Sequence, residues 1–271
     1  DDRSRHALVQ GLIRWCEQSG LSSLHLLFTS DADVTACRAA NMMLRHNVQF
    51  HWTNRVPTPY RDFDDFLASL NQDKRKKIRQ ERRKVEQAEV RFRSAHGRDI
   101  SASDWDFFYR CYERTYYEHG NAPYLSRDFF HRMARDMPEN WLVFIAEIDG
   151  RPIASSLIAL SDADPQGKVG RVAYGRYWGA LERVDCLHFD ACYYQPLQWC
   201  ITHGYQRFEG GAQGEHKMAR ALLPVQTTSA HWLTHPAFAQ AVDDFLQRER
   251  TGIHHYMGEL QSHSPFKRTA P

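Results

Sequence analysis

The sequence predicts an α/β protein, and three observations carry that expectation. Within the first 55 residues a helix, a strand, a second helix and a second strand follow one another. "WLVFIAEIDGRPIASSLIALS" has β-rich runs on both sides of Asp149-Gly150, a pair suited to the positive φ angles of a type I′ turn. Further on, a strand over 168–180, a helix over 187–203 and a strand over 205–211 succeed each other.

Taken in order, residues 4–19 repeat apolar positions at helical spacing (Leu8, Leu12, Ile13, Trp15, Cys16) and stop at Gly20. "SLHLLFT" (23–29) reads as a strand, 31–42 as a helix capped by Ser or Asp, and "NVQFHWTN" (47–54) as a second strand. "VPTPY" (56–60) breaks the pattern with two prolines and marks a boundary. "DFDDFLASL" then starts a helix with acidic residues in its first turn and leads into "NQDKRKKIRQERRKVEQ". A strand (89–95), a long amphipathic helix (101–119) and a helix (126–137) ended by Pro138 precede the hairpin. Pro196 is expected to kink the helix over 187–203, and the tail helix covers 236–260.

Composition narrows the function classes. A chain of 271 residues with 42% hydrophobic and 25% charged residues is globular rather than disordered, and its formal charge of +2 supplies no global field for nucleic acid or membrane. The N-terminal "DDRSRHALVQ" lacks the pattern of a signal segment and no window is long and apolar enough to span a bilayer, so a cytoplasmic protein without membrane insertion is expected. The six cysteines form no C-x-x-C pair, and no histidines show H-E-x-x-H spacing; neither a disulfide framework nor a metal site is expected.

Two stretches concentrate charge chemistry. "FEGGAQGEHK" (208–217) lies at the C-terminal end of a strand, where ligand crevices form in α/β sheets. Its glycines alone would make an ordinary turn, but one turn has little use for so many proton-handling groups. Glu209, Glu215, His216 and Lys217 are therefore the expected catalytic residues. Eight of the eleven residues from Lys74 to Lys84 are Lys or Arg, a density suited to a phosphate-rich cofactor or an RNA backbone. Lys74, Arg75, Lys77, Arg79, Arg82 and Arg83 are the expected phosphate- or donor-binding residues. Glu81 and Glu86 would offset part of that charge along the helix. In "YGRYWGA" (174–180), Arg176, Tyr177 and Trp178 sit between glycines, where strand aromatics serve equally as core or as a pocket wall; with Asp190, Gln213 and His231 they make up the expected substrate-binding set.

The chain resembles the bacterial FemAB-like branch of the GNAT N-acyltransferase superfamily, whose members are labelled peptidoglycan biosynthesis or recognition proteins. "QFHW", "FDDFLASLNQDKRKKIRQERR", "PYLSRDFF", "GRYWGA", "LHFDACYYQ", "FEGGAQGEHK" and "SAHWL" carry the resemblance over nearly the whole length. It implies tandem GNAT-like domains, each a mixed, mostly antiparallel sheet flanked by helices. Residues 1–55 would be the C-terminal part of a first, partial domain and 56–271 the second; members usually have about a hundred residues more ahead of Asp1. The resemblance also implies transfer of an acyl or aminoacyl group to a small-molecule or peptide amine, with Glu209, Gly210 and Lys217 at the substrate cleft and no tightly bound cofactor. Glu209 or Glu215 would take the amine's proton, and Lys217, His216 or a backbone N–H would stabilise the oxyanion. "GALERVDC" does not match the superfamily's pyrophosphate loop, so acyl-CoA and aminoacyl-tRNA both stay open as donors. A non-catalytic module binding an anionic polymer or cell-wall precursor is the alternative.

Overall fold

A computed structural model describes residues 1–163, 170–212 and 214–267, with the side chain of Glu215 left out. The chain divides into two compact units, 1–49 with 224–264 and 50–223 with 265–271. The first break falls at Gln49/Phe50. The chain crosses between the units again at Leu223/Pro224 and at Ser264/Pro265.

The first unit contains α1 (Asp2–Gln18), β1 (Ser23–Leu26), α2 (Asp31–Ala39), the start of β2 (Met43–Thr53), most of β8 (Leu223–Leu233) and α9 (Pro236–Ser262). Strand β8 lies between β1 and β2, pairing antiparallel with β1 from Ser23↔Leu233 to Leu26↔Ala230, which is why the late segment belongs with the early one. Val9, Cys37, Leu44 and Ala230 form its core, and Arg45 of β2 reaches Glu249 of α9 at 2.7 Å. The helix expected over 31–42 stops at Ala39 and β2 starts at Met43, four residues before the expected strand; Asn41, with φ 56°, makes the turn between them. Asn tolerates that left-handed conformation better than most residues do.

The second unit holds the end of β2, α3 (Phe63–Ser69), α4 (Gln72–Gln87), β3 (Arg91–His96), α5 (Ala102–Glu118), α6 (Arg127–Asp136), β4 (Trp141–Ile148), β5 (Arg151–Ser161), β6 (Val172–Ala180), α7 (Leu187–Phe189), α8 (Gln195–Thr202) and β7 (Arg207–Ala212). Its strand order is β2-β7-β6-β5-β4-β3; β3 to β6 run antiparallel to their neighbours, while β6 and β7 are parallel. The β4–β5 turn has positive φ at Asp149 and Gly150, as expected. The run expected as one helix is broken: Leu70 is extended and Asn71 caps α4 through Lys74 N, 3.0 Å away. Ser101 and Asp104 form a capping box at the start of α5.

Helices cover both faces of these strands. Phe108, Tyr112 and Phe130 of α5 and α6 pack on Ile145 and Leu157, while Val85 of α4 and Leu187 of α7 pack on Ile153 and Ala154 of the opposite face. Gly179 lets α5 approach β6, since a Cβ there would lie 1.9 Å from the Cys111 carbonyl oxygen. Gly179→Ala is therefore expected to destabilise the second unit by about 1–3 kcal/mol, read as a lower urea midpoint at unchanged slope.

Candidate active site

Among the described residues strands β6 and β7 pair at Val172↔Arg207, Ala173↔Phe208 and Tyr174↔Glu209 and no further, although both continue. Beyond Glu209 they part. On β6 the register with β5 slips between Gly175 and Tyr177, leaving Arg176 as the extra residue of a bulge, and bulges turn a strand away from its neighbour. On β7, Gly211 has φ 76°. Gly210 fits closely: a Cβ there would meet Leu222 Cδ2 at 2.4 Å and the Phe50 carbonyl oxygen at 3.1 Å.

At the opening lies a cavity of about 140 Å³ whose lining includes Trp178 of β6, Phe208 and Gly210 of β7, and His188, Cys192 and Tyr193. The last two belong to a π-helical turn, Asp190–Tyr194, between α7 and α8. Pro196 cannot donate a backbone hydrogen bond, and the widened turn just before it takes the place of the simple kink expected from the sequence. Ser156 of β5 donates to the Ala191 carbonyl at 2.7 Å and fixes that turn over the sheet. Burial, helped by His216, Arg220 and Lys217, depresses the His188 imidazole to about 4, so it is neutral at physiological pH. Its ring stands 5.5 Å from that of Trp178.

Glu209 projects from the other face of β7, as strand alternation requires when Phe208 and Gly210 face the cavity. Arg207 Nε lies 2.9 Å from Glu209 Oε1, an ion-pair contact without hydrogen-bond alignment. His51 Nε2 lies 3.8 Å from Glu209 Oε2. Burial raises the Glu209 carboxyl against the pull of Arg207, and burial with Arg207 depresses His51 to about 4.

Lys217 and Glu209, expected together, are not paired. Buried Lys217 donates to the carbonyls of Gly210 (2.7 Å), Ala212 (2.9 Å) and Gly211 (3.4 Å), which occupies its three protons on the end of β7. It shapes the strand end rather than offering a free cation. His216 is exposed, with Nε2 3.4 Å from the Tyr193 hydroxyl. Gln213 and the side chain of Glu215 lie outside the described residues.

The expected substrate-binding residues scatter. Arg176, Tyr177 and Trp178 line the cavity, though the Tyr177 ring also joins the core beside Tyr112 at 5.1 Å. Asp190 is 3% exposed, accepts from Gln195 at 3.0 Å and lies 3.7 Å from Arg82; it is not among the lining residues. His231 belongs to the first unit, its Nδ1 2.8 Å from that of His25.

Along α4, Ile78, Glu81 and Val85 face inward. Arg79, Arg82 and Arg83 line a second, open cavity of about 570 Å³ with Asp62, Asp64 and Gln198. Lys74, Arg75 and Lys77 lie outside that cavity, and with Arg83 have no carboxylate partner within 4.0 Å among the described residues. His188, Ser156 and Tyr193 were not anticipated; the one sequence signal for His188 is its place at the start of the helix that follows β6.

The family model described as peptidoglycan biosynthesis/recognition, FemAB-like, matches residues 1–268. The chain belongs to the FemAB-like family. Solved structures with a similar fold include the C-terminal domain (DUF2156) of a protein named as a lysylphosphatidylglycerol synthetase from Agrobacterium fabrum, with 12% identity, TM-score 0.62, and coverage of 88% of this chain and 76% of that one. L-PGS from Bacillus licheniformis follows with 10% identity, TM-score 0.59 and coverage of 88% and 77%. FemX shows 9% identity, TM-score 0.58 and coverage of 90% and 80%. At these identities the likeness is one of fold. Comparison with curated proteins finds no match. Among the described residues of this FemAB-like chain no helix is long and apolar enough to cross a membrane.

Proposed function

We propose that this FemAB-like chain transfers an acyl or aminoacyl group from acyl-CoA or aminoacyl-tRNA to an amine. The observation that carries the reading is the parting of β6 and β7 directly after Glu209, beside a small cavity with a neutral imidazole. Among the described residues β6 and β7 share no register pair past Tyr174↔Glu209, and an acyl carbonyl placed in the gap would accept from a backbone N–H of β6 there. The amine attacks that carbonyl and a C–N bond forms. Negative charge then gathers on the oxygen, where a β6 N–H and one N–H of neutral His188 donate. Glu209, raised by burial, takes the amine's proton from the other face. The oxyanion collapses, the C–S bond of a thioester or the C–O bond of an aminoacyl ester breaks, and the proton taken by Glu209 passes through solvent to the leaving thiolate or alkoxide, which restores the carboxylate.

In this reading the open cations of α4 hold the phosphates of the donor, and the two units are GNAT-like domains. Either donor places the reaction in the cytoplasm. The same open cations favour the second reading, a module that holds an anionic polymer without turnover.

The test offers acetyl-CoA and charged tRNA separately to the purified chain with a peptidoglycan-precursor amine, following saturable binding and acyl transfer. Binding of tRNA is expected to weaken far more steeply with salt, because it engages more phosphates. Saturable binding of an anionic polymer, with no transfer from either donor, would replace the enzyme with the binding module.

A further inference from the structure

The basic helix turns one carboxylate inward. Glu81 is 8% exposed, and both its oxygens accept from Arg220 Nη2, at 2.8 and 3.0 Å, while the Tyr194 hydroxyl donates to it as well. Arg220 is 2% exposed. Its Nη1 donates to the His216 carbonyl at 2.6 Å, and its guanidinium carbon stands 3.5 Å from the centre of the Phe189 ring. These contacts join three pieces of chain: α4, the 187–194 stretch and the turn Glu215–Arg220. Phe189 and Tyr194 directly follow His188 and Tyr193, both of which line the cavity.

A buried ion pair is an uneconomical source of stability, because desolvation cancels much of the attraction and an apolar pair of similar volume often does as well. In some proteins such a pair instead fixes one arrangement of the groups around it. We propose that Arg220 and Glu81 are positioning residues that hold the 215–220 turn against the 188–194 stretch and so keep His188 and Tyr193 facing the cavity. The proposal rests on the acyl-transfer reading only in taking that cavity as the site; its readouts need no substrate, so the two fail separately.

The test compares the wild type with Glu81→Met/Arg220→Met, whose paired apolar side chains refill the space, and with Arg220→Lys and Glu81→Gln. Three properties are measured: cooperative unfolding, the NMR titration of the His188 ring, and the alkylation rate of Cys192 in the cavity wall, with the partly exposed Cys186 as internal reference. His188 faces His216, Lys217 and Arg220, so loss of the arginine charge alone shifts its titration; Arg220→Lys keeps the charge and isolates the geometric effect. The expected result is a folded double variant in which Cys192 reacts about tenfold faster through local opening. Its His188 midpoint moves up from about 4. Arg220→Lys is expected to shift both readings in the same sense by less. Should the double variant unfold, the two single variants carry the same readouts. Folded variants with wild-type His188 titration and wild-type Cys192 reactivity would overturn the proposal and leave the network a packing feature.

Discussion

Glu209→Gln is expected to lower amine acylation by about 10²–10⁴-fold, the usual contribution of a positioned proton acceptor, while leaving the fold intact. Gln keeps the size of the side chain and still presents an oxygen to Arg207, so the contacts around the last β6–β7 pair survive. What disappears is basicity. The carboxyl is held above its ordinary range by burial, so the wild-type rate should fall as pH drops through that raised value, and the variant should lose this acid limb. A variant with near wild-type turnover and the same acid limb would remove Glu209 from the reaction.

The second large effect concerns acid stability. His51 and His188 are depressed from 6.5 to about 4, chiefly by burial, then by Arg207 for His51 and by His216, Arg220 and Lys217 for His188. Above pH 6.5 both are neutral whether the chain is folded or unfolded, and they cost nothing. As pH falls from 6.5 towards 4, the unfolded chain takes up protons that the folded chain refuses, so stability is lost across this window and the loss levels off below it. Each histidine accounts for on the order of 3 kcal/mol of that loss. Glu209 and Asp190, both raised by burial, act in the opposite sense, binding protons in the folded state first and offsetting part of the fall. Urea midpoints at pH 7, 5.5 and 4 measure the net slope. His51→Gln and His188→Gln should each flatten it; an unchanged slope in both would show that these imidazoles titrate as they do in the unfolded chain.

Much of the second unit was legible because its signals are local. Asp149-Gly150 marks the β4–β5 turn, Ser101 and Asp104 cap α5, and the basic run forms α4, all decided within a few residues. For the candidate site, the sequence indicated a strand end but not the partners of its side chains. "FEGGAQGEHK" does lie at a strand end beside a cavity, yet Lys217 folds back on the carbonyls of its own loop and Glu209 meets residues of β2 and β7. Pairing across the sheet follows from register, and register depends on segments far away in sequence. Glu81 shows the limit most clearly: spacing made it a partner for its own helix's cations, whereas burial gives it to Arg220, 139 residues later. The grouping of 224–264 with 1–49 was invisible for the same reason.

That grouping has a bearing on how the protein is made. Residues 1–49 leave the ribosome well before Pro224 is added, and at about 5–20 residues per second the delay is roughly ten seconds or more. During that interval β1 has no β8 to receive its hydrogen bonds, while residues 50–223 already have their own strands to pair. Residues 1–49 are thus exposed to chaperones and proteases until β8 arrives, and translation speed over the codons for 50–223 bears on the yield of folded protein.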